Sequence, residues 1–303
     1  MARTLRIAAA QYPIDELQSF EAFEAKLDRW VAEATARGAQ LLVFPEYGAM
    51  ELTRLAGLET ARDLRASLLA LQALLPRYKQ AYKHLAMRHG VFILGGSAPV
   101  QMGGGHFVNR ARLYAPSGAS GFQEKLIMTR FEAEEWGISP SYGPLHVFDI
   151  GVAKIGVAIC YDSEFPLIVR ALTQAGADVI LVPSCTDTMA GYHRVRLSCA
   201  ARALENQCYV VQSPTVGEAP WSAAVDVNVG AAGVFAPPDR LLPADGVIAS
   251  GELNRPGWVY ASLDLDILDQ VRNAGEVLNT RDWTRQPGAA DATATHAVVI
   301  PLV

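Results

Sequence analysis

The chain has 303 residues, half of them hydrophobic, with 26 Lys and Arg against 31 Asp and Glu for a formal net charge of -5. That composition supports a substantial core, and with no Lys/Arg cluster to track phosphates it argues against a nucleic-acid partner. The cysteines at 160, 185, 199 and 208 form no CxxC pair, and the six histidines show no HxxxH or HExxH spacing, so neither a disulfide framework nor a metal site is expected.

The N-terminal apolar run is short and no cleavage-site pattern follows it. No later run reaches the length of about 18 residues that a membrane span needs, so a soluble, cytoplasmic protein off the membrane is expected. Residues 5–10 read as a strand, and 20–36 as an amphipathic helix with Phe20, Phe23, Leu27, Trp30, Val31 and Ala34 near a 3.6-residue period. Gly38 is placed to end that helix, and 41–44 is a buried strand closed by Pro45-Glu46. A helix over 64–89 stops at Gly90, and a strand over 91–94 completes a β-α-β-α-β start.

Extended segments with turn chemistry follow. Pro116-Ser117-Gly118 joins strands over 108–115 and 122–127, with Lys125 near the end of the second. A polar loop over 129–142 leads to a second hairpin, 145–150 and 153–159, turning at Gly151. The apolar run from Ile155 to Ile159 stops at Cys160, and a helix is expected over 167–175. A thiol at this strand-to-helix corner faces backbone N–H groups that favour negative charge, so a stabilised thiolate is expected. Beyond it come strands over 179–182 and 209–212 around a helix over 192–205, late strands over 227–235 and 257–263, and a short helix over 265–271.

Glu46, Lys125 and Cys160 thus each stand at a strand's carboxyl end, where functional groups of α/β architectures gather. Cys185, after Val182-Pro183-Ser184, shares that position and is a candidate for contact with substrate; Cys199 and Cys208 read as core. Tyr47 beside Glu46, and Trp136 and Tyr142 in the loop after Lys125, either line a pocket or hold their loops together. His193 with Arg194 and Arg196 reads as a solvated helix face. The chain has no Gly-x-Ser-x-Gly elbow, phosphate-binding loop or dinucleotide fingerprint, so no cofactor is expected.

Phe44-Pro45-Glu46-Tyr47, then Glu124-Lys125-Leu126 with Thr129, Glu132 and Trp136-Gly137, then Ile159-Cys160-Tyr161-Asp162 with Phe165-Pro166, together resemble the nitrilase superfamily of carbon–nitrogen hydrolases across residues 4–275. The resemblance implies an α/β fold of the α-β-β-α four-layer sandwich type and a Glu-Lys-Cys triad on Glu46, Lys125 and Cys160. It places a second glutamate on Glu132, for which Glu134 and Glu135 compete. It also implies a homodimer or higher homo-oligomer acting on a small-molecule amide or nitrile. Residues 1–280 would form the hydrolase domain and 281–303 a C-terminal extension, whose apolar tip is a candidate for an oligomer interface.

Amide cleavage needs a nucleophile, a base that later protonates the leaving amine, and a positive group for the oxyanion; Cys160, Glu46 and Lys125 meet these needs in that order. The Tyr161 backbone N–H would be a second oxyanion donor. True nitrilases typically carry Trp after the nucleophile, and here Cys160-Tyr161-Asp162 has the amidase form. Amide hydrolysis through a Cys160 thioester is therefore the favoured expectation. Nitrile hydrolysis, acyl transfer from the same thioester and a non-catalytic binding protein are the alternatives.

Overall fold

A computed structural model describes residues 3–289 and 297–302. The chain opens with β1 (Thr4–Pro13), α1 (Phe20–Ala36), β2 (Leu41–Val43), a short α2 (Leu58–Ala61), α3 (Leu64–His89) and β3 (Phe92–Leu94). β4 (Ala98–Gln101), β5 (Phe107–Tyr114), β6 (Ser120–Glu124), β7 (Leu145–Asp149) and β8 (Lys154–Val157) follow. Then come α4 (Pro166–Gln174), β9 (Val179–Ser184), α5 (Met189–Asn206), β10 (Tyr209–Glu218), β11 (Val227–Asn228), β12 (Gly233–Phe235) and β13 (Val247–Ser250). β14 (Gly257–Asp264), α6 (Leu265–Ala274), α7 (Asn279–Asp282) and β15 (Ala297–Pro301) complete the order.

These elements form the four layers of an α-β-β-α sandwich. In the first sheet β14 runs antiparallel to β1, which pairs in parallel with β2 and through it β3; β5 pairs β3 and β4 on one edge and β6 on the other. The second sheet runs β15-β7-β8-β9-β10-β12-β13. Side chains of β1 alternate, as a period of two demands: Leu5, Ile7 and Ala9 join the core that includes the second sheet, while Ala8, Ala10 and Tyr12 join the core beneath α1 and α3. α4 and α5 cover the far side through Ile168, Val169, Leu172, Val195 and Cys199. Where the sheets face each other, Gly121 of β6 gives the Phe148 ring room, since a Cβ there would lie 2.3 Å from a ring carbon.

The two sheets meet where the end of β1 leaves its own sheet, pairing Tyr12 with Thr215 and Pro13 with Val216 of β10. Ser213 Oγ pins this junction by donating to the carbonyls of Ala10 and Val43, both at 2.8 Å. Gly38 and Gly90 end their helices as expected, with φ of 77° and 67°, and Ser19 Oγ caps the start of α1 by accepting from Ala22 N at 3.1 Å.

Three expectations are corrected. The late strand over 227–235 is broken into β11 and β12, because the Val229 and Gly230 amides between them turn to the Thr186 carbonyl at 2.7 Å and Asn254 Oδ1 at 2.9 Å instead of to β10. β13 occupies part of the segment between the late strands over 227–235 and 257–263, which its Pro237-Pro238 and Pro243 mark as loop in the sequence, and pairs antiparallel with β12. β6 ends at Glu124 rather than 127, since the Leu126 and Ile127 amides turn to the Asp162 carboxylate. At the C-terminal end, β15 adds in parallel to β7 with Leu302 buried and Val298 and Val299 exposed. Among the described residues no helix is long and apolar enough to cross a membrane.

Candidate active site

The three strand ends converge. Glu46 follows β2 and is 1% exposed; the next residue, Tyr47, takes φ of 56° with its N–H on Ser97 Oγ at 2.8 Å. Lys125, also 1% exposed, follows β6 and keeps its backbone N–H on the Asn109 carbonyl at 2.9 Å. Cys160 begins a tight helical turn, Cys160–Glu164, with φ of 48°, a left-handed conformation that costs a non-glycine residue about 1–3 kcal/mol. Positive φ at both Tyr47 and Cys160 marks the two turns that bring Glu46 and Cys160 to one cavity.

The Lys125 ammonium donates to Glu46 Oε1 at 2.8 Å and to both Glu132 oxygens at 2.7 Å. Glu132 occupies the place for which Glu134 and Glu135 compete in the sequence: Glu134 instead pairs with Arg130 at 2.9 Å on the surface, and Glu135 is exposed. The widened helical turn Phe131–Trp136 sets this phase, and Thr129 N and Oγ1, each at 2.8 Å, together with the Tyr47 hydroxyl hold the Glu132 carboxylate. Glu46 also accepts from Asn109 Nδ2 at 2.9 Å and, on Oε2, from the Cys185 backbone N–H at 3.0 Å. The Cys160 thiol lies 3.9 Å from the Cys185 carbonyl.

These groups face a cavity of about 400 Å³ whose walls include Tyr47, Phe131, Trp136, Tyr161 and Cys185. Trp136 both lines it and packs on Tyr47, with ring centroids 4.5 Å apart. Tyr142 is 93% exposed and belongs to neither role. Asn109 and Asp162 have no assigned role in the sequence reading; Asp162 stands inside a quoted motif, but nothing local distinguishes Asn109. Arg194 lies on the solvated face expected of it, with its side chain 56% exposed, and from there also lines the cavity, 3.3 Å from Glu164, with Asp187 and Asp226 in the same lining.

Electrostatics correct one expectation. Burial pushes the Cys160 thiol well above the ordinary range and the Glu46 charge adds to this, against the opposing pull of Lys125, so the resting group is a thiol rather than a stabilised thiolate. Burial also raises Glu46 to about 7, with Lys125 pulling it down and Glu132 pushing it up. Burial alone would lower Lys125, but Glu46 and Glu132 outweigh it and hold the ammonium well above the usual lysine range. Glu132 is itself buried, which raises a carboxyl, yet Lys125 and the donors from Tyr47 and Thr129 bring it below the usual carboxylate range. The arrangement offers a carboxylate able to accept a thiol proton near neutrality and a fixed cation beside it.

A Carbon-nitrogen hydrolase family model matches residues 6–241. The chain is 35% identical over 93% of its length to "Probable hydrolase YhcX" of Bacillus subtilis, 54% of which is covered, so it spans about half the length of that relative. It is 28% identical to a "Deaminated glutathione amidase" of Synechocystis over 79% of this chain and 85% of that one. The fold matches Saccharomyces cerevisiae Nit3, described as a member of branch 10 of the nitrilase superfamily, with a TM-score of 0.71, 20% identity and coverage of 92% and 96%. The family model covers well over half of the chain, and this chain belongs to the carbon–nitrogen hydrolase family.

Proposed function

We propose that the protein is a thiol amidohydrolase that cleaves a small-molecule amide or carbamoyl C–N bond through an acyl thioester on Cys160. The observation that carries this reading is the buried Lys125 ammonium held between Glu46 and Glu132, beside a thiol that shares their cavity. Glu46 takes the Cys160 proton as Sγ attacks the carbonyl carbon, and the oxyanion forms toward Lys125 Nζ and the Tyr161 N–H. Collapse breaks the C–N bond, and Glu46 returns the proton to the departing amine. Glu46 next takes a proton from water, whose oxygen attacks the thioester; the C–S bond breaks, the acid leaves, and Glu46 returns that proton to the Cys160 sulfur. Glu132 keeps Lys125 charged and in place throughout.

The test is product analysis with short aliphatic amides, monoamides of dicarboxylic acids, N-carbamoyl amines and the matching nitriles. Free acid with ammonia or amine from members of the first two classes, and carbon dioxide, ammonia and amine from the third, are expected. Turnover of nitriles alone, or acyl groups found only on added amine acceptors, contradicts the reading.

The same roles predict an acid limb. Glu46 acts as base only when ionised, so kcat/KM should rise as pH increases through about 7, well above the ordinary glutamate range. Asp162, which burial also raises to about 7, ionises in the same direction. Lys125 keeps its proton far higher, so it adds no falling limb near neutrality. A limb centred in the ordinary carboxylate range would remove Glu46 from the role of base.

A further inference from the structure

Cys160 and Lys125 sit on separate strands of different sheets, and the reaction needs their side chains held in register. Past Lys125 the chain has left β6, so the next two backbone amides lack a strand partner. Both turn to one side chain: Asp162 Oδ1 accepts from Leu126 N at 3.2 Å and Ile127 N at 2.9 Å, and Oδ2 accepts from Leu126 N at 3.1 Å. Asp162 is 1% exposed and lies two residues after Cys160 in the same turn. Its own N–H is fixed on the Ile159 carbonyl at 3.0 Å, and its carbonyl accepts from Phe165 N at 3.2 Å. Among the described residues these are the only side-chain hydrogen bonds between the segment 120–142 and the turn 160–164.

We infer that Asp162 is a positioning residue, a carboxylate clamp between the nucleophile's turn and the main chain beside Lys125 that sets the distance from the thiol to the ammonium. The inference rests on the proposed thioester chemistry. A carboxylate suits the task because two diverging N–H donors need several acceptor lone pairs, and ionised acceptors bind backbone amides more strongly than neutral ones. Asp162 does not line the cavity, so it acts through Cys160 and Lys125 rather than on the substrate. Loss of the clamp should therefore lower kcat and spare KM, as expected when a small misplacement reaches only the transition state.

The experiment compares wild type, Asp162→Ala and Asp162→Asn on the best amide of the panel, with thermal melting recorded for each. Asp162→Ala is expected to lose about 10²-fold in kcat with KM within about threefold, a loss typical of such misplacement. Asp162→Asn keeps the shape and one acceptor oxygen and should recover part of that loss. A folded Asp162→Ala enzyme with unchanged kcat, or one whose loss lies in KM alone, overturns the clamp while leaving the thioester reading intact. If the alanine variant does not fold, the asparagine variant decides: full wild-type kcat overturns the clamp and a selective kcat loss supports it. A wild-type enzyme that turns over no amide and forms no adduct overturns both.

Discussion

Glu46→Gln is expected to lower kcat for amide hydrolysis by about 10⁴-fold, the upper end of what a general acid–base residue supplies. The upper end applies because one carboxylate serves four proton transfers: from the thiol, to the leaving amine, from the attacking water and back to the cysteine sulfur. The substitution is nearly isosteric. The introduced amide's oxygen would still accept from Lys125 and Asn109, which now donate to Glu46 Oε1 at 2.8 and 2.9 Å, whereas its NH₂ group would confront the Cys185 N–H, donor against donor. Such a clash at a buried site costs about 1–3 kcal/mol of stability, too little to explain the loss of rate. KM should move little, and the part of the acid limb near pH 7 that belongs to Glu46 should disappear, leaving only the part that follows Asp162. Steady-state kinetics across pH, alongside melting curves, separates these effects; a variant within about tenfold of wild type would show that the base lies elsewhere.

Lys125→Met is expected to damage both activity and stability. Removing the ammonium leaves two buried carboxylates facing each other with no cation between them, and breaking a buried ion pair from one side typically costs about 3–5 kcal/mol. The oxyanion also loses a charged donor, a change worth about 10²–10³-fold in kcat. The pH dependence of stability has a definite sign. In the variant, like-charge repulsion and burial raise the folded-state pKa of Glu46 and Glu132 above their unfolded values, so stability is present at acid pH and falls as pH rises through those values. The melting-temperature deficit should therefore be larger at about pH 8 than at about pH 5.5. A deficit independent of pH would mean that Lys125 acts by packing rather than by charge.

Legibility in the sequence follows the strength of local signals. Apolar runs that stop at a polar residue place Glu46 and Cys160 just past strands, whereas the end of β6 is read three residues too far on, at 127 instead of Glu124, which puts Lys125 inside the strand rather than after it. Helix ends at Gly38 and Gly90 are equally readable because their stereochemistry is local. Choosing among Glu132, Glu134 and Glu135 requires the phase of a widened helical turn, which side-chain type does not reveal. Asn109 and Arg194 join the site through long-range packing, and their immediate neighbours carry no hint of it. The thiolate expectation fails for a related reason. Exposure of the corner is not a local property, and burial beside the Glu46 charge outweighs the local amide dipoles. β13 is hard to read because it is short and follows a proline-containing loop.

The central claim is a covalent acyl group on Cys160, and intact-mass measurement of the enzyme quenched in acid during turnover, followed by peptide mapping, tests it most directly. The account predicts a mass increase equal to the acyl group, on the peptide containing Cys160, discharged by hydroxylamine and absent from Cys160→Ala. Full amide turnover by Cys160→Ala, or an adduct mapped to Cys185 instead, would contradict it.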